Sequence, residues 1–361
     1  MLHLDTHGHD YYTPFYLLAT LTNVLLLGWE GWRRGFALRP WLAMVAASSL
    51  ALILGTKLIT NPVGDWGTVL FGDAAGTTAR SILGGGLAAG LAVLALRRWL
   101  GLPRAALDAL ALPLCAALAV QCVGCVLTGC CFGLPTAGVW GLTYAAGTLP
   151  YWAQVQAGLL PAGAAHSLPV APTQLLALGL CVAVGGVLLA TRHRRWPVGS
   201  WLLLQAGLLL LGRFGLSFWR APAGEPVAGA AHNFLGAQWL TLQFILLPVA
   251  LLVLAGWAWR VRRYEAGTAE RAASPAAASP GRTVAVAVLL LALSAGLGRN
   301  ALTLPELLVV RALLLTVLLA EAGAVLATLR WQGPRLVGGT VGPAAGRGGA
   351  AEHGPTDAAQ S

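Results

Sequence analysis

The chain has 361 residues, 57% of them hydrophobic and 10% charged, with a formal net charge of +10. This composition excludes an ordinary soluble domain and places the chain in a membrane. The positive charge recurs between apolar runs rather than covering one surface, so it marks topology and excludes nucleic acid as the expected partner.

The apolar runs predict nine spans, at 12–30, 41–59, 81–96, 107–128, 172–191, 198–217, 238–259, 283–298 and 306–328. Each is near the ~20 residues that cross a hydrocarbon core of ~30 Å. The start, MLHLDTHGHDYY, lacks a basic n-region and a cleavage site, so no cleavable leader is expected. His3, His7 and His9 with Asp5 and Asp10 are a short polar cluster, and no metal is assigned to them. Basic clusters fill every second gap: Arg33/Arg34/Arg39, Arg97/Arg98/Arg104, Arg192/Arg194/Arg195, Arg260/Arg262/Arg263 and Arg330/Arg335/Arg347. With Arg271 and Arg282 they hold 17 of the 23 basic residues, which predicts an outward N-terminus and a cytoplasmic C-terminus. The six remaining cations, Lys57, Arg80, Arg213, Arg220, Arg299 and Arg311, sit outward or within the membrane, where each needs a reason.

The expected fold is an all-α integral membrane protein. Residues 1–263 form a seven-helix body with an outward head. Residues 264–282 form a cytoplasmic linker rich in Ala, Ser and Pro. Residues 283–330 add two transmembrane helices, and 331–361 form a disordered tail. The head, about 129–171, carries Trp140, Tyr144, Tyr151 and Trp152, aromatics suited to the membrane interface. No internal repeat is visible and nine spans do not halve evenly, which argues against a transporter of duplicated halves.

Four segments carry candidate chemistry. Arg80 precedes SILGGGLAAG, where Gly84 and Gly85 permit close approach of a backbone or a lipid. QCVGCVLTGCCFGLPT brings Cys122, Cys125, Cys130 and Cys131 together in sequence. Zinc sites usually offer two separated pairs, so these are read as small residues packing a helix end, and no metal is expected. In APTQLLALGL, Thr173 and Gln174 place polar groups on the first turn of a helix. In GRFGLSFWRAP, Arg213 and Arg220 differ by about 20° around a helix and share a face. Fifteen residues from Val198 put Arg213 about 22 Å across the membrane. Two guanidiniums there suit a phosphate or carboxylate; the alternatives are snorkelling to outer phosphates or pairing with Glu225. His166 and His232 fall in outward loops as candidate bases.

In order, these segments resemble the prolipoprotein diacylglyceryl transferase family over about residues 12–260. PTQL at 172–175 resembles the family's His-Pro-Thr-Gln-Leu-Tyr-Glu, and RFGLSFWR at 213–220 its Arg-Phe-x-x-Glu-x-x-Arg. The stretch from Asp108 into CVGCVLTGCCFGLPT, and GAQWLTLQ at 236–243, resemble further family segments. The resemblance implies a multi-pass protein of the bacterial cytoplasmic membrane that moves diacylglyceryl from phosphatidylglycerol to the lipobox Cys thiol of a prolipoprotein signal peptide, without a cofactor. It implies Arg213, Arg220 and His166 as catalytic candidates, and Arg80, Gly84, Gly85, Gly133, Thr173 and Gln174 as lipid-binding candidates. The family's base falls at Leu83, its fourth-helix Arg at Cys122 and the following Asn at Cys125. The His, Tyr and Glu of the Pro-Thr-Gln motif fall at Ala171, Leu176 and Ala177, and the Glu between the arginines at Ser217. These departures leave a second expectation beside transfer: a non-catalytic, phospholipid-binding or assembly relative.

Overall fold

A computed structural model describes residues 2–4, 11–73, 79–234, 236–265 and 279–331. Most of the terminal His/Asp cluster, most of the expected linker and the expected disordered tail lie outside these residues. The fold divides into a unit of residues 1–321 and a unit of residues 322–361. The second unit's described part is helical through Trp331.

Among the described residues, nine helices fall in the nine expected spans. They are α1 (Tyr12–Arg33), α2 (Leu38–Leu58), α3 (Ile82–Trp99), α4 (Ala111–Thr128), α5 (Thr173–Ala190), α6 (Ser200–Leu216), α7 (Thr241–Glu265), α8 (Pro280–Gly296) and α9 (Leu304–Trp331). Six described stretches are long and apolar enough to cross a membrane: α2, α3, Ala106–Thr128, α5, α7 and α9 through Ala327. The apolar helices α6 and α8 are shorter. The protein is a multi-pass, all-α membrane protein.

Local chemistry sets the ends of these helices. Pro280 opens α8, where its missing N–H costs nothing. Arg262 and Arg263 lie in the last turn of α7, where cations favour the helix dipole. Asp108 accepts from the backbone N–H groups of Gly199 at 2.6 Å and Trp201 at 2.9 Å, tying the start of α6 to the chain before α4.

α2 is the centre of the largest apolar core. Trp41, Met44, Val45 and Ala46 are wholly buried against Val93 of α3, Val286 and Ala287 of α8, and Val310, Leu314 and Val317 of α9. The last two helices therefore share one core with the body. α2 and α3 approach through small residues. A Cβ on Gly55 would lie 2.5 Å from the Gly84 carbonyl oxygen, and one on Gly85 would lie 2.6 Å from Thr56. Two ion pairs tie α2 to α9, Arg39–Glu321 at 2.6 Å and Lys57–Glu306 at 3.5 Å. They set the two helices antiparallel, as second and ninth members of an alternating set require.

The head follows α4. It contains β2 (Leu142–Tyr144), parallel to β1 (Leu2–Leu4), and a short helix, Leu149–Gln156. Tyr144 and Tyr151 are buried, while Trp140 and Trp152 face outward. Tyr144 joins Val126, Phe132, Leu142, Val170 and Ala221 in a second core that seats the head on the helix ends. β3 (Ala231–Phe234) and β4 (Ala237–Leu240) form an antiparallel hairpin before α7.

Candidate functional site

The site is organised by the turn that leaves α4. Gly129 ends the helix in the left-handed conformation that glycine adopts freely, with φ of 76°. The turn's carbonyls then collect three side chains from two distant segments. The Cys130 carbonyl accepts from Gln174 Nε2 at 2.9 Å, and the Cys131 carbonyl accepts from Thr173 Oγ1 at 2.7 Å and Arg220 Nε at 3.3 Å. Gly133 pairs with Arg220 in an antiparallel bridge. A Cβ at Gly133 would press on Ala171 and on the Trp219 carbonyl, so only glycine admits this approach. Gln174 also donates to the Tyr144 hydroxyl at 3.2 Å. Burial pushes that phenol far above its ordinary range, so it stays protonated.

Arg213 and Arg220 meet on one oxygen, Glu225 Oε2. Arg220 Nη1 reaches it at 2.8 Å, and Arg213 Nη2 donates to the same atom. The two arginines converge on Glu225 but not along one helix face: α6 ends at Leu216, and Arg220 lies beyond it in the bridge to Gly133. Arg220 and Glu225 are nearly buried, at 6% and 4% exposure. Two guanidiniums against one carboxylate leave one positive charge in excess. The Arg213 side chain keeps 18% exposure and so opens this excess charge to the outside. Ser217, between the two arginines, accepts from Gln243 Nε2 at 2.9 Å.

The model of the prolipoprotein diacylglyceryl transferase family matches residues 10–254. The chain belongs to the prolipoprotein diacylglyceryl transferase family. No curated protein matches it. The family acts in general by diacylglyceryl transfer to prolipoproteins from lipid donors. The matched stretch holds the whole turn, both arginines and Glu225. It ends before α8 and α9.

Transferase-family residues expected near the lipid divide between this turn and a second cluster. Arg80 donates to Glu306 Oε1 at 2.5 Å and lies over the Tyr16 ring at 5.0 Å. Tyr16 donates to the same oxygen at 2.8 Å. Lys57 donates to the carbonyls of Asn300 at 2.9 Å and Ala301 at 2.7 Å, beside the other Glu306 oxygen. Tyr12 stacks on Tyr16 with ring centroids 6.1 Å apart.

Gly84 and Gly85 are buried against α2, while Gly86 has open space around it. Leu83, at the family's base position, is half-buried. His166 is exposed on the head, its backbone bridged to Ala145. His232 is exposed, with Nε2 3.1 Å from Thr241 Oγ1.

Tyr12, Tyr16, Gln243 and Glu306 were not candidates in the sequence. Glu306 had a signal: Thr303-x-x-Glu306 before an apolar run is a capping box. The Thr303 N–H donates to Glu306 Oε2 at 2.8 Å.

Proposed function

We propose that this protein transfers diacylglyceryl from phosphatidylglycerol to the lipobox Cys thiol of prolipoproteins at the outer face of a bacterial cytoplasmic membrane. The observation that carries this reading is the convergence of Arg213 and Arg220 on Glu225 with one positive charge in excess. A phosphodiester supplies the missing negative charge, and a guanidinium presents two parallel N–H groups to its oxygens. Residues 1–263 form the transferase body, and residues 283–330 form an accessory pair of helices. The N-terminus faces outward.

In the reaction the acceptor sulfur attacks the glyceryl carbon that bears the phosphate ester. A C–S bond forms, the C–O bond breaks, and glycerol phosphate departs. Arg213 and Arg220 stabilise the charge that develops on this leaving group, an electrostatic contribution worth most in a dry site. Leu83 offers no base. The thiol proton ends on the departing phosphate monoester, whose second pKa is about 6. Thr173, Gln174 and Gly133 hold the turn against which Arg220 is set.

The hydrogen bonds from both arginines to Glu225 favour a second reading, a phospholipid-binding relative that does not turn over. Purified protein, labelled phosphatidylglycerol and a lipobox peptide decide between them. Thioether-linked lipid on the peptide supports transfer. Headgroup binding without product supports the second reading.

A further inference from the structure

The sulfurs of Cys125, Cys130 and Cys131 all lie within 4.8 Å of one another. Cys125 comes from the last turn of α4, the other two from the turn beyond it. Side chains of consecutive residues ordinarily diverge. Cys131 is the one non-glycine residue with positive φ among the described residues, at 58°. Such a backbone costs on the order of 1–3 kcal/mol and persists where its surroundings impose it. Here Thr173, Gln174 and Arg220 impose it through the carbonyls of Cys130 and Cys131. Packing small residues at a helix end needs neither this backbone nor three sulfurs.

A thiolate bonds a closed-shell metal at about 2.3 Å, so three around one ion stand about 4 Å apart. The present spacing closes to that with sub-ångström shifts. No histidine or carboxylate joins the three sulfurs among the described residues. Three soft ligands without a hard one suit Cu(I). Arg220, hydrogen-bonded to the Cys131 carbonyl, places a cation beside the negative charge that three thiolates and one Cu(I) leave.

We propose that Cys125, Cys130 and Cys131 form a three-thiolate site for Cu(I), beside the arginine pair. Binding replaces three S–H bonds with three Cu–S bonds and releases three protons to solvent.

The test uses the purified, reduced full chain and Cu(I) in competition with a chromophoric chelator. One Cu(I) per chain is expected, with these three thiols protected from alkylation. Cys131→Gly keeps the fold, because glycine adopts φ of 58° without strain. Its Tm should hold or rise while Cu(I) affinity falls by more than the roughly 10–100-fold that outer-shell changes cost. Cys125→Ser should lose binding likewise. Cys115→Ser, beside Gln205 and outside the three, should keep it. Full affinity in Cys131→Gly overturns the site, as does equal loss in Cys115→Ser. A wild-type chain that takes no Cu(I) overturns it too, including one whose sulfurs prove to be joined as a disulfide and still bind nothing after reduction.

Discussion

Arg80 and Glu306 are 226 positions apart in sequence and joined by a 2.5 Å hydrogen bond. Arg80 lies within the region that matches the transferase family, and Glu306 lies beyond it. The same carboxylate faces Lys57, which is 1% exposed. α9 thus places the counter-charge for two cations of the body.

Glu306→Gln should therefore destabilise the whole body. It leaves Lys57 buried beside a neutral amide, and breaking a buried pair on one side costs about 3–5 kcal/mol. Thermal unfolding in detergent should show a clear fall in Tm. Adding Lys57→Met should recover part of it. A Tm unchanged in Glu306→Gln would mean that this network does not hold the helices together.

The helices were legible because apolar length and basic punctuation are both local. The convergence of Arg213 and Arg220 was not legible from their spacing, which assumes a continuous helix, whereas α6 ends at Leu216 before Arg220. Glu306 was not, because its partners Lys57 and Arg80 lie more than 220 positions away. The turn's sulfurs were not, because spacing does not announce a left-handed cysteine. The head's aromatics were half legible. Trp140 and Trp152 face outward, but Tyr144 and Tyr151 spend their rings on the head's own core.

The topology is testable without the site. A reporter active only in the cytoplasm should give signal when fused after Arg263 or after Leu336, and none after Gly147. The basic clusters demand this arrangement. Signal after Gly147 would reverse the orientation and move the arginine pair to the cytoplasmic side.

Gly84 and Gly86 separate packing from lipid approach. A Cβ on Gly84 meets the Gly55 backbone and Ile59, whereas one on Gly86 meets nothing within 4 Å. Gly84→Ala should lower Tm by several degrees, an overpacking cost of about 1–3 kcal/mol. Gly86→Ala should leave Tm unchanged. Equal, small effects of both would mean that α2 and α3 are not clamped at this point.

Transfer should depend on Arg213 more than on any histidine. Lysine keeps the charge but not the planar fork, so Arg213→Lys should abolish phosphatidylglycerol-dependent lipidation. His166 is exposed on the head, and His166→Ala should leave most activity. The lipobox-peptide assay measures both. Full activity in Arg213→Lys removes the phosphate clamp, and loss in His166→Ala reinstates a histidine base.

Glu225 is the counter-charge that Arg213 and Arg220 share. In Glu225→Gln the two arginines face each other without a counter-charge, and Arg220 is nearly buried. The variant should lose about 3–5 kcal/mol of stability, the cost of stranding a buried charge. An anionic phospholipid headgroup can replace the carboxylate, because it offers oxygens of the same sign and hydrogen-bonding geometry. Phosphatidylglycerol in the detergent micelle should therefore raise the Tm of Glu225→Gln by more than it raises that of the unsubstituted protein. Diacylglycerol, which shares the acyl chains and lacks the phosphate, should raise neither. Equal shifts for both proteins with phosphatidylglycerol would mean that the lipid binds elsewhere, and that the arginine pair serves only to seat Glu225 against the turn after α4.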